Sequence, residues 1–139
     1  MTTPTMAEKG RMVVARFLDG KVLKGTIHDF APNKEELHLY KEGDERSPAV
    51  AVRTESLKAL FFVKSFVGNK QHQADNSFES ASGQGRKIRV RFLDGEEMAG
   101  FTMGYSPQKQ GFFLIPTDSD CNNARVYVFN SSVAEVEWV

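Results

Sequence analysis

Three histidines, one cysteine and a few carboxylate pairs are the side chains that could carry chemistry here, and their spacing limits each of them. His28 and His38 fall on what read as neighbouring strands, with no carboxylate or thiolate placed beside them. A metal site needs three or four converging ligands, so these two and a distant His72 predict no metal. Cys121 stands in the polar run DSDCNNAR with no second cysteine, which describes a loop thiol and leaves no internal disulfide to form. The pairs Glu35-Glu36, Asp44-Glu45, Glu96-Glu97 and Asp118 with Asp120 fall in turns or loops, without the cleft that shifts catalytic pKa values. No nucleophile motif or dinucleotide fingerprint occurs, and Gly83 and Gly85 in SGQGRK lack the phosphate-loop continuation. Neither catalysis nor a cofactor is expected. What remains is cationic: Arg86, Lys87, Arg89 and Arg91 form one basic cluster, partly echoed by Arg11 and Arg16. Such arginines on an outer strand face could contact the phosphates of a nucleic acid. The simpler expectation is that Arg89 and Arg91 pair across strands with Glu135 and Glu137.

The elements that position these groups are set by a repeat. RMVVARFLDG at Arg11 to Gly20 returns as RKIRVRFLDG at Arg86 to Gly95, 75 positions on. In the second copy Ile88, Val90 and Phe92 alternate with Lys87, Arg89 and Arg91, the period of two that marks a half-buried strand. Transferring that register puts Val13, Ala15 and Phe17 on the core face and Arg16 outside. Asp19-Gly20 and Asp94-Gly95 then read as hairpin turns, because Asp-Gly accepts the positive φ that tight turns need. Second strands follow over 21–30 and 96–105, each with an interior glycine, Gly25 or Gly100, where a short sheet can bend or its backbone approach a neighbour. Third strands lie around Leu37–Tyr40 and Phe112–Ile115, and fourth strands at Val50–Val52 and Val126–Val128. After the short turns Thr54-Glu55-Ser56 and Asn130-Ser131-Ser132 come fifth strands carrying Leu60 with Phe62, and Val136 with Trp138.

Five short strands per copy with no helical period predict an all-β chain of two tandem five-stranded antiparallel barrels. The expected boundaries are a loose N-terminus at 1–10, a first barrel at 11–66, a polar linker at 67–85 and a second barrel at 86–139. The 139 residues carry 18 basic and 18 acidic side chains, and this zero net charge removes the long-range attraction that a general nucleic-acid binder has for polyanions. No apolar run of about 18 residues and no apolar leader occur, so a cytoplasmic protein away from the membrane is expected.

The copies are most informative where they differ. The fifth strand of copy two alternates cleanly, with Glu135 and Glu137 outward, whereas copy one places Ala59 and Phe61 at those positions. Its fifth strand, with Phe61 and Val63, is apolar on both faces. Copy two in turn places Phe101 and Met103 where copy one has Thr26 and His28. Strands apolar on both faces are normally buried on both, so Phe61, Val63, Phe101 and Met103 are the candidate interface, with the two faces expected to meet within or between chains.

The stretch VVARFLDGKVLKGTIHDFAPNKEELHL, with RTESLKALFFV after it, resembles the Sm-like fold, and SH3-like barrels share much of the pattern. Sm proteins that bind RNA use an aspartate and an asparagine four residues apart after the bent strand. Here Ala31 stands near the expected aspartate, Asn33 falls early, and SPQKQG in copy two has neither, so no RNA-contacting residue carries over. DNSFES at 75–80 only approaches the motif of cyclic-dinucleotide-binding PilZ-type barrels. The combination of RFLDG, interior glycine, GFFLIPTD and NNARVYV also resembles an uncharacterised bacterial domain family, which implies a bacterial origin and no activity. The function expected is a non-catalytic module acting through protein contact or self-association in bacterial regulation or assembly. An RNA-binding Sm-like protein is the alternative, and a small-ligand sensor a weaker one.

Overall fold

In the computed structural model, the described residues are 11–31, 34–43, 48–64, 85–117 and 123–139. They form ten strands: β1 (Arg11–Phe17), β2 (Val22–Ile27), β3 (Glu36–Lys41), β4 (Val50–Arg53), β5 (Leu57–Val63), β6 (Arg86–Phe92), β7 (Glu97–Thr102), β8 (Gly111–Pro116), β9 (Asn123–Phe129) and β10 (Val133–Trp138). Single 3-10 turns at Thr54–Ser56 and Asn130–Ser132 join the fourth and fifth strands of each half.

Each half has the same internal order, β5-β1-β2-β3-β4 and β10-β6-β7-β8-β9, and the same register, with Val13 opposite Gly25 and Ile88 opposite Gly100. The hairpin turns match as well. Gly20 and Gly95 both take φ of 93°, and the side chains of Asp19 and Asp94 accept hydrogen bonds from the backbone N–H two residues on, at 2.9 and 3.0 Å. These short turns fix which strand residues face inward.

The expectation of two separate barrels is corrected by the strand pairing. β5 also pairs antiparallel with β9, so all ten strands belong to one continuous antiparallel sheet that does not close, ending at β4 and β10. The reason lies in the core. One buried cluster gathers Val13, Ala15, Leu37, Leu39, Leu60 and Phe62 of the first half but also Tyr127 and Phe129 of the second. The other gathers Ile88, Val90, Phe92 and Leu114 but also Ala59, Phe61 and Val63 of the first. β5 is buried along its whole length because each of its faces enters a different core. The second strands are shorter than expected, stopping at Ile27 and Thr102. Phe30 lies beyond the strand end and packs edge-on against Phe62, Phe113 and Tyr127, while Tyr105 packs on Phe112 and Trp138. The N-terminus at 1–10, nearly all of the linker, His72, Cys121, Asn33, Asp44-Glu45, Asp118 and Asp120 lie outside the described residues.

Gly25 and Gly100 do need to be glycine. A methyl group at either position would run into a backbone carbonyl of the neighbouring third strand, that of Tyr40 or Ile115, and neither backbone can yield without unpairing. Gly100→Ala should therefore cost about 2 kcal/mol, read as a lower urea midpoint with an unchanged slope. An unaltered midpoint would contradict the packing.

Candidate functional site

The junction between the halves shows how this sheet captures a strand. β5 runs antiparallel to β9, with Ala59 opposite Val128, Leu60 opposite Tyr127 and Phe61 opposite Val126. At its entry Lys58 is 7% exposed and inserts its ammonium between Asp94 and Glu96, at 2.6 and 2.5 Å, above the ring of Phe92 at 4.6 Å. The Lys58 hydrogen bond, with that of its own backbone turn, holds the Asp94 carboxyl below the ordinary carboxylate value. Ser132 Oγ donates to the Lys58 carbonyl oxygen at 2.9 Å, and Arg16 lies over Phe61 at 4.9 Å while reaching Glu96 at 3.9 Å. On the opposite face the Arg125 guanidinium lies between Phe62 and Phe113, 4.7 and 4.6 Å from their centroids. Gln110 adds a latch, donating to the Lys34 carbonyl at 2.7 Å and to Thr54 Oγ1 at 3.0 Å.

The first half carries the counterpart of this slot, and there it is an open groove of about 650 Å³ beside the β4 edge. Phe17, Asp19, Lys21, Val50, Val52 and Ser56 line it, at the positions that Phe92, Asp94, Glu96, Val126, Val128 and Ser132 hold around β5. Val22 on its wall is 51% exposed. Among these six positions the charge differs at one, where Lys21 replaces Glu96 and lies 3.9 Å from Asp19; Lys41, Arg53 and Glu55 also line the groove, where the second half has Pro116, Phe129 and Ser131.

The residues singled out in the sequence are separated by the structure. Phe61 and Val63 are buried, 4% and 8% exposed, against Val126, Val128 and the second core. Phe101 is also buried, 3% exposed, though outside both core clusters, and Met103 is 80% exposed. Within the chain Phe61 faces β9 and the second core. In the basic cluster, Arg91 pairs with Glu135 at 2.6 Å, Arg89 with Glu137 at 3.8 Å, and Arg86 stacks over Trp138 at 3.8 Å. Lys87 lies on the same strand and is exposed. His28 packs edge-on with Tyr40, whereas His38 bonds Asp29 at 2.9 Å and lies 3.4 Å from Glu36. Burial pushes the Asp29 carboxyl up, but hydrogen bonds from His38 and Lys34 outweigh it and hold the group low. Among the described residues no group of three histidine, cysteine or acidic side chains is arranged to hold a metal, and no helix is long and apolar enough to cross a membrane.

Lys58 was not singled out in the sequence, although a signal was there. Between the copies Lys58 becomes Ala134 as Glu96 becomes Lys21, so the cation and its carboxylate partner change together.

These features define an all-β protein built as one open sheet, whose halves are joined by the pairing of β5 with β9 and whose first half has an open groove beside β4. The chain belongs to a family of unknown function, DUF6982, whose model matches residues 9–139. No curated protein and no solved structure matches it.

Proposed function

We propose that this is a non-catalytic bacterial binding module, built from two Sm-like or SH3-like units, that docks another protein in the groove beside β4. The observation that carries this is the equivalence of that groove with the slot that holds β5 in the second half. An apolar groove flanked by a strand edge that no described strand pairs offers side-chain pockets and main-chain hydrogen bonds to the same ligand. The nucleic-acid alternative is less well supported, because Arg89 and Arg91 are already paired with glutamates and the net charge is zero. A photo-reactive residue in place of Val22, compared with one in place of the exposed Leu93, tests the reading in cells that make the protein. A protein adduct of defined mass at Val22 and none at Leu93 is expected. An RNA adduct, or no adduct at Val22, would overturn it.

A further inference from the structure

We propose that the occupant of the groove is an extended segment of another protein, added antiparallel to β4, with alternating apolar and polar side chains. This rests on the docking role proposed above and specifies its ligand. The template is internal. In the second half the slot receives Ala59 and Phe61 from β5, paired against Val128 and Val126. The counterparts Val52 and Val50, with Phe17, Val22 and Leu23, form the same kind of apolar floor. One face of the incoming strand must therefore present a small and then a large apolar residue two positions apart.

The other face differs from the template. Leu60 and Phe62 of β5 meet Tyr127, Phe113 and Arg125, and the first two have Ala51 and His38 as counterparts in the first half, both exposed. There the smaller Ala51 replaces Tyr127 and the polar His38 replaces Phe113, so the incoming strand is polar there and, unlike β5, need be apolar on one face only. The entry position differs again. Lys58 is held by Asp94 and Glu96, but the groove offers Asp19 already beside Lys21. A lysine entering there would meet the Lys21 ammonium, whereas a glutamate would complete an alternating set of charges.

A second copy of this chain does not meet these requirements. Its β10, the other end strand among the described residues, carries Glu135 and Glu137 where β5 has Ala59 and Phe61, both exposed and paired to Arg91 and Arg89. Docking β10 would strip those pairs and press carboxylates against Val50 and Val52. Charged residues of this kind on an edge strand work against edge-to-edge pairing.

The test uses labelled peptides spanning residues 57–63, with Leu60→Thr and Phe62→Thr, either keeping Lys58 or carrying Lys58→Glu, titrated into the full chain. The glutamate peptide should bind saturably, and the lysine peptide about tenfold more weakly. Val22→Asp should abolish binding with an unchanged melting temperature. Lys21→Glu should reverse the preference, because it recreates the acidic entry of the second half. Absence of binding by either peptide, or binding indifferent to Val22→Asp and Lys21→Glu, overturns the proposal. So does self-association that Val22→Asp abolishes, which would make the occupant a second copy. If the Val22 adduct persists while peptides fail, only the strand-shaped ligand is lost; if both fail, the docking role falls too.

Discussion

Lys58→Ala should lower the stability of the whole chain by about 2–3 kcal/mol, from the loss of charge-assisted hydrogen bonds and of a buried aliphatic stem. For a chain of this length that is a fall in melting temperature of roughly 6–10 °C. The side chain is nearly buried, and its Nζ bonds both Asp94 and Glu96 across the junction. Breaking a fully buried pair would cost more, since it strands a charge away from water. Here the two carboxylates keep 56% and 40% of their side-chain surface, so water can solvate them once the lysine is gone. Lys58→Met, which keeps the stem over Phe92, should cost less than Lys58→Ala. Equal losses would mean that the charge alone matters, and no loss from either would mean that the clamp is ornamental.

The same contact has a pH signature. Asp94 is held below its ordinary value of 3.8 first by the Lys58 hydrogen bond. A carboxyl depressed in the folded state stabilises it above the unfolded pKa, and that contribution is lost as the pH falls from there through the folded value. At neutral pH this contribution is fully present and does not vary with pH, and the wild-type advantage over Lys58→Ala should narrow below about pH 4. Urea midpoints at neutral pH and in that acid range decide it: a gap that stays constant would assign the loss to packing.

Much of the scaffold could be read from one sequence because it occurs there twice. RKIRVRFLDG settled the inward face that RMVVARFLDG left ambiguous, and Val13, Ala15, Ile88, Val90 and Phe92 are all buried. Turn positions were equally legible, since the positive φ at Gly20 and Gly95 is a local requirement of the hairpin. What could not be read was which strand lies beside which across the two halves. Alternation tells how a strand divides its faces but not whose core each face enters. The doubly apolar LKALFFV did announce burial on both sides, yet its partner β9 is more than 60 residues away and carries no local mark of the pairing. The open groove was invisible for the same reason. It exists because β5 lies beside β9 in the second half, whereas no described strand lies beside β4 in the first.

Phe61 and Met103 looked alike as apolar residues on faces that should be polar, and the structure gives them opposite expectations. Phe61 is 4% exposed and fills the slot between Val126 and Val128 under the Arg16 guanidinium. Truncating a buried phenylalanine costs about 3–5 kcal/mol through lost transfer energy and the cavity left behind. Phe61→Ser adds a hydroxyl that finds only apolar neighbours, so its cost should fall near the top of that range. Because β5 is what ties the two halves together, the damage should spread. Hydrogen exchange is expected to quicken in β1 and β9 as well as in β5. Met103 is 80% exposed, and Met103→Ser should change stability by no more than about 0.5 kcal/mol. Two comparable losses would place both residues in one buried interface, as their sequence pattern suggested. A large loss at Phe61 alone, with exchange quickened on both of its flanking strands, identifies β5 as the strand on which the two halves depend.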